Sequence, residues 1–263
     1  MTPAALATAA TLIALAPAGA HAGEVACIYE RGVVVIPASV AGMAGDYILD
    51  TGSPDTQLHD TKAQMAGLTG TGVLARVLMA GLALRDRPVA VVDLDARAAA
   101  FPTPIAGVIG ADLLAPYVVD ISFNPCRVAI RRPRYAGRFR AMAVLPMGAA
   151  GVASVRAAVA DGPHAYAGEM VLSTGADAPL RMYQKVAVAA GTSQPDTLLP
   201  YGERRATLRA LSLGGALFEN VPAGLLADGD GARLGVIGAP LLAHWRMRFD
   251  FPRRRVLLGK PRR

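Results

Sequence analysis

Tyr47-Ile48-Leu49-Asp50-Thr51-Gly52-Ser53 sets an aspartate at the end of an apolar run, and a near copy, Met170-Val171-Leu172-Ser173-Thr174-Gly175, returns in the second half of the chain. An apolar run that stops at Asp-Thr-Gly reads as a buried strand ending in a tight turn. Taken alone, Asp-Thr-Gly is also an ordinary turn in which the aspartate caps its own backbone. The copy changes that balance. Downstream of Asp50 lies Val108-Ile109-Gly110-Ala111-Asp112-Leu113-Leu114-Ala115, and downstream of Ser173 lies Val236-Ile237-Gly238-Ala239-Pro240-Leu241-Leu242-Ala243. Continued without a gap, the match sets Tyr117 on Trp245, Phe123 on Phe251, Arg127 on Arg255 and Val128 on Val256. Two such units are too few and too long for a solenoid array. Two packed lobes related by a pseudo-dyad follow, and only the first keeps the carboxylate.

Residues 1–22 carry no charged side chain, hold an apolar stretch at Leu12-Ile13-Ala14-Leu15-Ala16 and end in the small-x-small pattern Ala20-His21-Ala22. This is the form of a secretory signal peptide cleaved before Gly23, with an uncleaved N-terminal anchor as the alternative. The apolar stretch is shorter than the roughly 20 residues of a membrane span, so no stable membrane insertion is expected after cleavage. The expectation is an exported protein, periplasmic or secreted. Its two cysteines, Cys27 and Cys126, flank most of the first unit. In an oxidising compartment such a pair reads as a disulfide. A zinc site would need more ligands and a CxxC or HxxH spacing that the chain lacks, so neither metal nor organic cofactor is expected.

The net charge of +7 is an arginine excess gathered at Arg131, Arg132, Arg134, Arg138 and Arg140 and at Arg253, Arg254, Arg255, Arg262 and Arg263. With few aromatic residues and no nucleic-acid motif, these read as a solvated linker and tail rather than a nucleic-acid surface. The expected organisation is a signal peptide over 1–22, a first lobe over 23–133, a basic linker over 134–147 and a second lobe over 148–263. Short runs such as 32–37, 73–79, 89–92, 118–123, 206–211, 224–226 and 246–249 read as strands between Gly, Pro and Asp punctuation. Short helices are expected over 60–66, over 184–190 and directly after Gly110 and Gly238. The glycine-rich segments 67–72 and 228–231 read as hairpin tips, the former as a short flap.

The pattern apolar-apolar-Asp-Thr-Gly-Ser, then hairpins, then apolar-apolar-Gly before a short helix resembles the aspartic peptidases, in particular the retropepsin-like family of exported bacterial proteins. The resemblance covers both halves. It implies an all-β fold of two related retropepsin/pepsin-like β-barrel lobes with short helices, in a pseudo-twofold arrangement around a central cleft. It also implies an aspartic-type endopeptidase acting on peptide or protein substrates, with Asp50 as catalytic carboxylate. Such enzymes hold a water between two carboxylates that share one proton, because two like charges about 3 Å apart cannot both ionise near neutral pH. By the same resemblance Thr51 and Thr174 lock the two loops across the dyad. Gly52, Ser53 and Gly175 shape the loops, and Gly110 and Gly238 pass close behind them.

Ser173 departs from that pattern. A hydroxyl hydrogen-bonds a carboxylate or a water but does not replace the second carboxylic acid. Asp55 and Asp177 follow the two loops and read as substrate-holding or structural acids, not as replacement catalysts. Three outcomes remain open: a homodimer pairing two Asp50 residues, hydrolysis by Asp50 alone, or a noncatalytic pseudoprotease that binds peptides in the interlobe cleft. The first is disfavoured, because the second lobe retains Thr174, Gly175 and Val236-Ile237-Gly238 and so holds the partner position within its own chain. No GxSxG elbow, HExxH helix or phosphate-cradling loop points to another chemistry. A catalytic Asp50 also carries an expectation about stability: the isosteric Asp50→Asn change should leave it nearly unaltered.

Overall fold

A computed structural model describes residues 23–149, 151–161, 164–183, 205–226 and 233–261. The expected signal peptide, the helix over 184–190 and the tip over 228–231 lie outside them. Nineteen strands are described, with short helices between some of them.

In the first lobe, β1 (Glu24–Ala26) and β2 (Ile28–Glu30) lead into β3 (Val33–Val40), β4 (Met43–Leu49) and β5 (Gln57–His59). Helix α1 (Asp60–Met65), β6 (Gly72–Met79), β7 (Leu82–Val92), α2 (Asp95–Ala98), β8 (Ile105–Ile109) and α3 (Ala111–Leu114) follow. Strands β3-β4-β8-β5-β7-β6 form a six-stranded barrel that closes where β6 pairs back onto β3. The sequence explains the two kinds of strand seen here. On β6 the burial alternates, with Ala75, Val77 and Met79 inward and Leu74 and Leu78 outward, the pattern of a half-buried strand. On β8, all five residues are buried, as expected of a strand covered on both faces.

In the second lobe, β12 (Ser154–Asp161), β13 (His164–Ser173), β14 (Leu180–Tyr183), β15 (Arg205–Leu213), β16 (Ala216–Leu226) and β17 (Arg233–Gly238) form a closed barrel in the order β12-β13-β17-β14-β16-β15. Helix α4 (Ala239–Leu242) follows β17. The motif strand of each lobe lies parallel to the strand that ends in the late glycine. Leu49 is in register with Ile109 on β4 and β8, and Leu172 with Ile237 on β13 and β17.

A third sheet joins the lobes. Strands β9 (Val118–Phe123) and β10 (Cys126–Arg131) from the first half and β11 (Ala143–Pro146), β18 (Arg246–Asp250) and β19 (Arg255–Gly259) from the second half combine with β1 in the order β1-β10-β9-β18-β19-β11. The two halves meet where β9 and β18 pair antiparallel, with Ile121 opposite Met247 and Val119 opposite Phe249, all four buried. The buried Arg248 donates to Asp120 through Nη2 at 2.7 Å and to the carbonyls of Ala136 and Gly137 at 2.6 and 2.9 Å. The segment expected as a solvated linker thus supplies two acceptors for a buried guanidinium and an edge strand for the shared sheet. A buried charge is tolerable only when its hydrogen bonds are met in this way.

One expectation is corrected. Residues 67–71 connect α1 to β6 and are not a hairpin tip, since the β6–β7 hairpin turns at Ala80-Gly81, both in the left-handed region at φ +45° and +74°. Those angles give the two-residue turn whose twist matches paired strands. Cys27 and Cys126 form the expected disulfide, closing a sequence separation of 99 residues and tying the β1–β2 junction to the start of β10.

The lobes are also locked at the motif loops. Thr51 Oγ1 donates to the Leu172 carbonyl and Thr174 Oγ1 donates to the Leu49 carbonyl, each at 2.6 Å, and Thr174 Oγ1 also accepts the Thr51 amide at 3.2 Å. Both threonines are fully buried. Thr174→Val keeps the shape but strands the Leu49 carbonyl and the Thr51 amide. Urea unfolding is expected to show a loss of about 1–3 kcal/mol, the usual cost of leaving a buried polar group unpaired. The Cys27→Ser/Cys126→Ser protein is expected to lose about 2–4 kcal/mol by the same measurement, because the bridge constrains a long loop in the unfolded chain. An unchanged urea midpoint in either protein contradicts the corresponding role.

Candidate functional site

Asp50 extends the β4 ladder by donating its amide to the Ile109 carbonyl at 2.9 Å, and its carboxylate then turns into the cleft between the lobes. It is 5 % exposed. Its Oδ1 accepts the Gly52 amide at 2.9 Å and the Ser173 hydroxyl at 2.7 Å. Ser173 therefore occupies the position facing Asp50 across the pseudo-dyad, within hydrogen-bonding distance. The late glycines do approach the loops behind this pair. A Cβ on Gly110 would stand 2.5 Å from the Asp55 carbonyl carbon and oxygen, and one on Gly238 would meet the Ala176 and Ala178 carbonyls.

The second carboxylate oxygen of Asp50 meets a residue that sequence reasoning did not single out. Arg97 on α2 donates Nη2 to Asp50 Oδ2 at 2.9 Å and to the Gly175 carbonyl at 2.8 Å. One guanidinium thus bridges the two motif loops on the cleft side. A Cβ on Gly175 would stand 2.6 Å from both Arg97 Nη2 and Asp50 Oδ2, so this arrangement needs glycine at that position.

The helix that carries Arg97 is only one turn long and is fastened by a histidine. His59 is buried, with Nδ1 at 2.9 Å from Asp60 Oδ1 and Nε2 at 3.1 Å from Asp95 Oδ1. Although desolvation opposes it, the Thr61 amide and His59 together hold the Asp60 carboxyl below its ordinary range. His59 thereby links the start of α1 to the start of α2, two residues before Arg97. Nothing local in the sequence signals this link, because only the fold brings Asp95 to His59.

The remaining expected site residues are more dispersed. Ser53 is buried and donates its hydroxyl to the Asp55 carbonyl at 3.0 Å, closing the first loop. Asp55 is exposed and is not among the residues that line the cleft. Asp177 does line the cleft, where it pairs with Arg181 at 2.7 Å. His244 is structural: Nδ1 lies 2.9 Å from the Leu241 carbonyl, and its ring packs edge-on with Phe218 and Trp245.

Around Asp50 the cleft is an open cavity of about 430 Å³. Val33, Ile48, Phe101, Val171 and Val236 give it apolar walls. Among the described residues no group of His, Cys, Asp or Glu is arranged to hold a metal ion, and no helix is long and apolar enough to cross a membrane.

No protein-family model matches the chain, and no curated protein matches it. Among solved structures it is similar to the aspartic proteinase from Irpex lacteus, with a TM-score of 0.53 and 14% identity, covering 91% of this chain and 97% of that one. At that identity the likeness speaks to the fold alone. The fold is the pepsin-like arrangement of two β-barrel lobes about a cleft, and the narrower retropepsin-like assignment has no matching family behind it.

Proposed function

We propose that this chain is a noncatalytic member of the aspartic-protease fold, a pseudoprotease that holds a peptide in the cleft between its lobes. The observation that carries this reading is the set of donors around Asp50: Ser173 on one carboxylate oxygen and Arg97 on the other. Dyad chemistry needs one carboxylate to take a proton from water and a second acid to support the carbonyl oxygen. An alcohol is not that acid. A guanidinium stays protonated in proteins and neither gives nor takes the proton. Arg97 also bridges Asp50 to the Gly175 carbonyl, so that both oxygens of the Asp50 carboxylate carry a donor.

What such a protein retains is a peptide-sized groove with apolar walls and a rigid floor. That floor is set by the crossed threonines and the parallel strands beneath them. The disulfide and the leader-like pattern at 1–22 support export, to the periplasm or outside the cell. The endopeptidase alternative keeps one favourable observation. At 2.7 Å from Asp50, residue 173 is near enough for a carboxylate there to share a proton with it.

Digestion of a peptide library, read by mass spectrometry from acidic to neutral pH, tests the proposal. The wild-type protein and Asp50→Asn are expected to give the same background pattern. Cleavage by wild type that disappears in Asp50→Asn contradicts the proposal and restores the endopeptidase. The Arg97→Ala/Ser173→Asp protein is expected to exceed wild type by on the order of 100-fold at acidic pH, the lower range of what positioned acid and base groups contribute.

A further inference from the structure

The charge of the cleft is unbalanced in a specific way. Its described lining contains four guanidinium groups, from Arg31, Arg97, Arg181 and Arg233, against two carboxylates, Asp50 and Asp177. Each carboxylate is already answered, Asp50 by Arg97 at 2.9 Å and Asp177 by Arg181 at 2.7 Å. Arg31 and Arg233 have no ion-pair partner among the described residues. Among the described residues these two cations therefore line the groove without an ion-pair partner, close to apolar wall residues such as Val33, Phe101 and Val236.

Both are set on ordered backbone. Arg31 stands in the turn between β2 and β3 with φ +50°. The next residue, Gly32, lies so close to the second lobe that a Cβ there would stand 2.9 Å from Pro240 Cγ. That turn thus reaches across the rim of the cleft. Arg233 opens β17, where it is in register with Glu169 of β13 and is half-buried. A guanidinium presents a planar fork of donors that fits a carboxylate in a bidentate manner, and holding it on a fixed element reduces the ordering cost of binding. A ligand that brings a further cation meets repulsion from the two guanidinium groups that no cleft carboxylate answers, so the same arrangement selects against basic peptides.

We infer that the cleft selects acidic peptides: extended segments whose aspartate or glutamate side chains pair with Arg31 and Arg233 while apolar neighbours lie against Val33, Phe101 and Val236. This rests on the peptide-binding reading and goes beyond it by naming the ligand class.

Fluorescence polarisation with three labelled peptides of one apolar framework tests the inference: one with two glutamates, one with glutamines in their place, and one with lysines. The acidic peptide is expected to bind at least about 10-fold more tightly than its glutamine counterpart, the effect of one charge-assisted hydrogen bond at the low end of its range. The preference is expected to shrink as salt is raised. It should vanish in Arg31→Gln/Arg233→Gln and survive in Arg31→Lys/Arg233→Lys, with unchanged circular dichroism showing that both proteins fold. Equal binding of the acidic and glutamine peptides overturns the inference and leaves the peptide-binding reading standing. An acidic preference that persists in the double glutamine protein overturns the assignment to Arg31 and Arg233. Failure of all three peptides to bind overturns both readings.

Discussion

Two threonine hydroxyls, each donating to a carbonyl of the opposite lobe, fix the geometry on which the rest of the site depends. Thr51 reaches Leu172 and Thr174 reaches Leu49, so each motif loop is closed by the other lobe. The backbone outside the crossing continues the symmetry: the Val34 amide donates to the Thr174 carbonyl and the Ala153 amide to the Thr51 carbonyl. Buried backbone groups must be paired somewhere. Here the pairing is spent across the interface, so the lobes cannot separate without stranding several polar groups at once. Everything at the cleft floor, including the 2.7 Å approach of Ser173 to Asp50, is set by that crossing.

The crossing also explains how a lost carboxylate is compatible with a kept fold. The loop needs Thr174 and Gly175, one for its hydroxyl and the other for the space that Arg97 and Asp50 fill. It does not need an acid at position 173, where a small hydroxyl is enough to satisfy Asp50 Oδ1. On the proposed reading, Asp50 is held by its neighbours rather than used by them. Arg97 ties it to Gly175, and His59 ties the helix bearing Arg97 to α1. The carboxylate has the surroundings of a structural ion pair.

Much of this fold was legible in the sequence, because the decisive features are local. The run into Asp50-Thr51-Gly52 and the later Val-Ile-Gly mark strands buried on both faces, and glycine is required where backbones nearly touch. The two cysteines announced their bridge through composition alone. The β6–β7 turn was not legible: Ala80-Gly81 is a weak form of a signal normally carried by Asn-Gly, and the glycine-rich 67–72 outweighed it. Arg97 was hidden for a different reason. Helix α2 has four residues, too few for any periodicity to show, and nothing local says that its arginine reaches an aspartate 47 positions earlier. The buried Arg248 was likewise lost among the arginines of a basic chain, since its partners Asp120, Ala136 and Gly137 are distant in sequence.

The central claim is that Asp50 is a structural carboxylate, held by Ser173 and Arg97, in a cleft that binds but does not cut. A catalytic aspartate is expected to tolerate its isosteric amide with no loss of stability, whereas a structural one is not. The most direct measurement is therefore a double-mutant cycle by urea unfolding on Asp50→Asn, Arg97→Gln and the combined protein. The account predicts a loss of about 1.5–3 kcal/mol for Asp50→Asn, in the range for a hydrogen bond to a charged partner. It also predicts a coupling energy above about 0.5 kcal/mol between the two positions. An Asp50→Asn protein as stable as wild type, with no coupling to Arg97, contradicts it.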